Sequence, residues 1–286
     1  MIPLEFIRKI SRVSMKKSWS ALFRIFYNNL MWLLKKRLLF FFFVYPVLTF
    51  FTLLDKENKF LNFFKLNNKR ILLRHGKIKL ILFYRDLETY KEIYEDNVYD
   101  FFDLKRNWIV IDCGANIGCY TLKVAKKVGK VISIEPHPHN FYVLLQNLKI
   151  NKNKNVVPLN LAAYDKEGLI EIYGDGPTSS IFRISNLERS TRVMSMTLDS
   201  ITKKMKRIDL LKIDVEGAEI KVLRGATRTL RKTRNLILEV HPFLIDDKKI
   251  WEMLARYRFY LKKYSHPDPL ISEKTYIIIG KKLGRR

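Results

Sequence analysis

Cysteine is almost absent: Cys113 and Cys119 are the two in 286 residues. That gives no sign of a disulfide framework or a zinc site, and it fits a reducing compartment. Acidic residues are scarce, 28 against 54 Lys and Arg, and the formal charge is +26. A balance of that kind points to an anionic partner: nucleic acid, an acidic membrane surface, or an acidic or lipid-linked glycan. Aromatic RNA-binding signatures and zinc-finger spacings are missing, and the basic residues are spread along the chain. Neither G-x-G-x-x-G nor a Gly-Lys-Ser/Thr loop occurs, so the dinucleotide and P-loop fingerprints are both missing.

What is present divides the chain in two. Residues 1–60 form a basic, hydrophobic segment, expected to be helical, and residues 61–286 are expected to form the main domain. Within 1–37, Arg8, Lys9, Arg12, Lys16, Lys17 and Arg24 alternate with Phe6, Ile10, Val13, Trp19 and Leu22, which predicts a basic amphipathic helix. The uncharged run "LLFFFFVYPVLTFFTLL" follows at 38–54, with Pro46 in its middle. At the lower length limit for a spanning helix, it admits three readings. A membrane-surface anchor through residues 1–54 ranks first, then a buried core helix, then a full span. The anchor leaves the remainder cytoplasmic. A cleavable signal peptide is excluded because the run begins too far into the chain.

Beyond Leu61, "ILLRHGKIKLILFYR" predicts a hairpin turning at Gly76, and 86–102 predicts a helix. From residue 107 short apolar runs alternate with helical ones: "WIVIDC", "KVISIEP", "NVVPLNLAA", "IDLLKIDVEG" and "NLILEVHP" each precede or follow a helix-like stretch, "AEIKVLRGATRTL" among them. This predicts an α/β fold with a parallel sheet covered by helices. Two closing strand-like runs, "RFYLKKYSH" and "KTYIIIGKKL", have no helix between them and predict an antiparallel edge strand.

Three clusters carry chemistry. The stretch "IDCGANIG" ends a strand with Asp112 and opens a turn with Gly114 and Gly118, spaced G-x-x-x-G. Glycines let a ligand approach the backbone, and the following helix start points N–H groups at it. An acid there repels a pyrophosphate and suits amines or hydroxyls. Glu135 ends the second strand, where nucleotide-binding folds grip a ribose diol. A cationic nucleoside without phosphate fits both acids, and S-adenosylmethionine is that ligand. The third cluster is "LLKIDVEGAE", in which Lys212, Asp214 and Glu216 alternate and would share one face of an extended strand. Ion pairing within a strand end competes there with an active site at the carboxyl edge of the sheet. Glu239 and His241 end the next strand. Asp214, Glu216, Glu239 and His241 could also hold magnesium or manganese, but the sequence reading assigns no metal.

Taken in order, "IDCGANIGCYT", "ISIEPHP", "LAAYDKEG", "TLDS" and "IDLLKIDVEGAEIKVLRGA" resemble the FkbM-type methyltransferases, class I enzymes dependent on S-adenosylmethionine. The resemblance runs from "EIYEDNVY" through "LEVHP", roughly half the chain, and excludes the first 60 residues. It implies a Rossmann-like, seven-stranded, mostly parallel sheet with an antiparallel last strand. It places Asp112, Gly114, Asn116 and Gly118 in the cofactor loop, Glu135 at the ribose, and Ala162 and Asp165 near the adenine. Asp214 and Glu216 match the family's acidic motif beside the transferred methyl. Either is expected to be the general base, with His241 next and Lys212 as an orienting or charge-stabilising group. The expected activity is O-methylation of a sugar or lipid-linked glycan hydroxyl. Two other readings compete: an RNA methyltransferase, argued against by "DVEG" standing where base methylases carry an Asn/Asp-Pro-Pro-Tyr/Phe run, and a non-catalytic basic membrane-binding protein that kept the fold. Nucleic acid therefore ranks behind a glycan as partner.

Overall fold

A computed structural model describes residues 70–174, 190–267 and 275–284. The N-terminal segment 1–60, including the apolar run 38–54, lies outside the described residues. Among the described residues no helix is long and apolar enough to cross a membrane. The chain divides into two compact units, Met1–Ile71 with Phe83–Glu88, and Leu72–Leu82 with Thr89–Arg286. In the described part of the first unit a single 3-10 turn, Tyr84–Asp86, is closed by the Phe83 N–H donating to Asp86 Oδ2 at 2.8 Å.

In chain order the elements are β1 (Arg70–His75), β2 (Ile78–Phe83), α1 (Leu87–Tyr94), β3 (Ile109–Cys113), α2 (Cys119–Ala125), β4 (Lys130–Ile134), α3 (Pro138–Ile150), β5 (Val156–Leu159), β6 (Ala162–Ala163) and β7 (Gly168–Tyr173). There follow β8 (Ser190–Met196), α4 (Leu198–Ile201), β9 (Ile208–Ile213), α5 (Glu219–Arg224), α6 (Thr227–Lys232), β10 (Thr233–Val240), α7 (Lys248–Ala255), β11 (Phe259–Ser265) and β12 (Tyr276–Lys282).

The seven-stranded sheet has the order β11-β12-β10-β9-β3-β4-β5. Strands β10, β9, β3, β4 and β5 are parallel, and β12 alone pairs antiparallel, with β10 on one side and β11 on the other. The last strand is therefore antiparallel but not at the edge: β11 takes the edge and β12 inserts beside β10. Burial explains the order. The run Tyr276–Ile279 is apolar and buried throughout, whereas β11 exposes Tyr260, Lys262, Lys263 and Ser265 and suits a solvated edge.

Strand β9, "IDLLKI", is buried at every position. Its Leu211 and Ile213 pack with Ile111, Leu236, Leu238, Val222 and Leu230 in the main core. The apolar run after β9 makes two helices rather than one, parting at Gly225, where any Cβ would stand 2.1 Å from the Tyr164 carbonyl oxygen. Helix α3 is held from outside by β2: the Asn147 side chain donates to Ile81 O and to Ile117 O, each at 2.9 Å, and accepts from Ile81 N–H at 2.6 Å. A smaller sheet, β6-β8-β7, lies in sequence between β5 and β9. Both cysteines are buried and free.

Candidate active site

The carboxyl ends of β3, β4 and β9 open onto a cleft. Its wall includes Gly114, Asn116, Glu135, Ala162, Tyr164, Ile172, Asp214 and Glu216. Among the described residues three acids line it and no Lys, Arg or His does, in a chain of +26. Among these residues a phosphate would find no counter-charge, and a cation would find several.

Gly114 shapes the floor. Its φ is +82°, and a Cβ would stand 1.7 Å from the carbonyl oxygen of Asp214, so only glycine lets the β3 turn and the β9 end meet. Gly114→Ala is accordingly expected to lose S-adenosylhomocysteine binding in a calorimetric titration; binding at parental affinity would refute this packing account. Asn116 follows in the left-handed region, φ +50°, and its buried Oδ1 has no hydrogen-bond partner. The backbone N–H of Asn116 donates to Glu135 Oε2 at 2.8 Å, while His137 N–H donates to Oε1 at 2.9 Å. Burial pushes the Glu135 carboxyl up to about 7 against these two donors. Glu135 thus keeps acceptor capacity toward the cleft, as a ribose diol needs.

The other sequence-predicted cofactor residues fall in different places. Ala162 lines the cleft. Asp165 is absent from its wall and pairs instead with Lys221 at 3.1 Å. Gly118 starts α2 with φ +91° and abuts Leu144 Cδ1, which would lie 2.5 Å from a Cβ, so it serves helix packing. Asp112 is wholly buried behind the turn, where Thr121 Oγ1 donates to its Oδ2 at 2.6 Å. It reaches the site only through Lys212.

Lys212 is the hub. It stands opposite Asp112 in the β3–β9 register, with its Nζ 3.5 Å from Asp112 Oδ1, 3.2 Å from Asp214 Oδ2 and 3.3 Å from Gly114 O. The rings of Tyr99 and Tyr120 cover it at 5.0 and 5.7 Å. Burial disfavours its charge, but Asp214 and Asp112 outweigh burial and hold the ammonium well above its ordinary value. The same pairing acts on Asp214: burial opposes ionisation, while Lys212 and then His241 hold the carboxyl below its ordinary value.

Asp214, Glu216 and His241 do converge, though not on one strand face. Strand β9 ends at Ile213, and Glu216 turns back with φ +49°. His241 Nε2 lies 3.4 Å from Glu216 Oε2 and 4.0 Å from Glu239 Oε1, and Nδ1 lies 2.7 Å from Glu219 Oε1. Burial, with the charges of Asp214, Glu239 and Glu219, raises Glu216 to about 8 against the opposing pull of His241. Glu239 is pushed up to about 7 by burial and by Asp214. Burial disfavours charged His241, yet Glu216 and Glu219 prevail and hold it well above its ordinary value.

Two residues of this cluster carry no role in the sequence reading. Tyr99 is buried, and its hydroxyl, with a single proton to donate, stands within hydrogen-bond reach of Asp214 Oδ2 at 3.2 Å and, closer, of Glu239 Oε2. Glu219 is fully buried behind His241. Tyr99 ends the quoted "EIYEDNVY" and Glu219 ends "DVEGAE", but no spacing rule marks either.

Residues 112–265 match the family model described as the methyltransferase FkbM domain. Methyltransferase sdnD of Sordaria araneosa is 28% identical over 188 residues, covering 52% of this chain and 73% of that protein. Hexuronic acid methyltransferase AglP of Haloferax volcanii is 26% identical over 149 residues, covering 51% of this chain and 61% of its own length. A solved FkbM methyltransferase from Methylobacillus flagellatus superposes with a TM-score of 0.49 at 16% identity, over 66% of this chain and 47% of that one.

Proposed function

Since the chain belongs to the FkbM methyltransferase family, we propose that it moves a methyl group from S-adenosylmethionine to a hydroxyl of an acidic or lipid-linked sugar. The observation that carries this reading is the wall of the cleft: a glycine floor and three acids, with no basic side chain among the described residues. When bound, S-adenosylmethionine supplies a methyl on a sulfonium, open to in-line displacement by an oxygen. Gly114 and Asn116 would hold it at the floor, Glu135 at the ribose, and Ala162 with Tyr164 at the adenine.

The chain's own residues then have separable tasks. Lys212 donates to Asp214 Oδ2, and its charge with that of His241 keeps the carboxylate ionised, so Asp214 orients. Glu216 is the better proton acceptor: it lines the cleft, and its raised pKa makes its ionised form a stronger base than Asp214. His241, held by Glu219, sets the position of Glu216. Phe243, half exposed with its ring 6.2 Å from that of His241, offers an apolar face on which a sugar ring can stack.

A sugar acceptor draws support from the name of the archaeal relative, hexuronic acid methyltransferase. It also suits the +26 charge, which attracts anionic substrates. Membrane association through residues 1–54 would bring the enzyme to lipid-linked acceptors. Incubation with methyl-labelled cofactor and fractionated cell extract is expected to place label in the glycan or glycolipid fraction. Label confined to RNA would replace the acceptor class. Failure to bind S-adenosylhomocysteine would favour a non-catalytic membrane-binding protein.

A further inference from the structure

The two edges of the seven-stranded sheet carry opposite charge. At or near the carboxyl ends of its parallel strands stand Glu135, Asp214, Glu216 and Glu239. At the amino ends, the segments at and just before the strand starts are 105–108, 126–130, 152–155, 203–207 and 231–234, and they hold fourteen Lys and Arg and no acid. All of these cations are exposed except Arg207 and Lys232, which are half-buried. Ile109 pairs with Lys130, Val131 with Val156, Val110 with Leu210 and Ile208 with Thr233, so the five strands start almost level. Asp209, one residue inside β9, is buried and pairs with Arg207 and Arg234. Basic residues far apart in sequence are thus gathered into one row. Like charges in a row repel one another, and an opposing anionic surface relieves that repulsion.

We propose that this amino edge docks on a bilayer containing anionic lipid, with the cleft opening away from the membrane. A substrate in the cleft gains nothing from contact with the row, since the six residues of β9, at about 3.3 Å each, put about 20 Å between them. Single-stranded nucleic acid is gripped by aromatic platforms as well as by cations. Of the exposed large apolar side chains among the described residues, none falls in the five segments. A bilayer needs only cations near its surface, each strengthening attachment about fivefold. Arg258, just before β11, and Lys281, near the end of β12, carry the row to the remaining strands. Seven strands about 4.8 Å apart make an edge about 29 Å wide, the footprint of a surface and not of a small ligand. The sequence holds a second element suited to the same partner, the basic residues of 1–37 followed by the uncharged run 38–54. The docking does not rest on the methyl-transfer reading.

The full chain is mixed with vesicles of phosphatidylcholine alone and of an equimolar mixture with phosphatidylserine, and the bound fraction is read by cosedimentation. Tighter binding to the mixed vesicles is expected, and the gain should fade as salt shortens the Debye length. Lys105→Gln, Lys130→Gln, Lys154→Gln and Lys206→Gln combined remove one exposed cation from the start of each of β3, β4, β5 and β9. That combination should weaken phosphatidylserine-dependent binding about tenfold or more. Lys166→Gln, Lys248→Gln, Lys249→Gln and Lys263→Gln remove the same charge from exposed positions away from the amino edge. Screened from a docked surface, they should change binding by about twofold at most. Both combinations should melt with the parent, since all eight lysines are exposed. Should the edge combination melt early, Lys130→Gln and Lys206→Gln made singly carry the test, each losing up to about fivefold. Equal losses in the two combinations would reduce the effect to net charge and overturn the proposal. Parental binding in the edge variants, or equal binding to the two vesicles, overturns it as well. Double-stranded RNA is titrated in parallel. Loss of RNA affinity in the edge combination with vesicle binding unchanged would assign the row to nucleic acid instead.

Discussion

Lys212→Met is expected to lower the unfolding free energy by about 3–5 kcal/mol, because it leaves Asp112 and Asp214 as uncompensated charges at a buried strand end. For a domain of this size that corresponds to a fall in melting temperature of roughly 6–20 °C. The magnitude follows from where the charges sit. Asp112 is fully buried and Lys212 is 3% exposed, so water cannot replace the lost ammonium. An exposed pair such as Arg192 with Glu171 would lose about 1 kcal/mol at most. Adding Asp112→Asn to Lys212→Met removes one stranded charge and should restore part of the loss. A single variant that melts with the parent, or a double variant that melts lower still, would contradict the hub role of Lys212.

The largest effect on turnover is expected at Glu216. Glu216→Gln should reduce kcat by about 10²–10⁴-fold, the usual contribution of a positioned general base, with S-adenosylhomocysteine affinity retained. The parent should show a rate that rises with pH through about 8. Glu216 must be ionised to accept a proton, and a carboxyl raised to that value is protonated below it. In Glu216→Gln that limb should vanish. Asp214→Asn should act differently: it removes the charge that Lys212 and Tyr99 hold in place, so its cost should fall on stability as well as on rate. Near-normal turnover in both variants would remove these two carboxylates from the chemistry.

Much of the fold was open to sequence reading. Alternating apolar and amphipathic runs forecast the parallel sheet, and the helix-free tail forecast its antiparallel strand. What misled was position within the sheet, since adjacency of β11 and β12 in sequence leaves open which one docks against β10. The heavier apolar loading of β12 decided it. The paired helices α5 and α6 were also read as one, because a clash between Gly225 and the Tyr164 backbone leaves no periodic trace.

For the site, the division is similar. The sequence alone determined that acids stand at the ends of successive strands: Glu135 on β4, Asp214 just beyond β9 and Glu239 near the end of β10. It also determined that glycines open the turn after β3. Those features are local, set by a strand's last residues and by backbone freedom. Only the tertiary structure decided that Asp112 is a buried counter-ion, that Asp165 pairs with Lys221, and that Glu216 returns to the cleft through a left-handed backbone. It alone brought Tyr99 to Asp214 and Glu239, across 115 and 140 residues of chain. Such contacts depend on strand order and burial, and residue spacing carries no record of either. Charge at this site is accordingly a property of the packing: the same carboxyl type is held low at Asp214 by an ammonium and pushed up at Glu216 by burial and by its own kind.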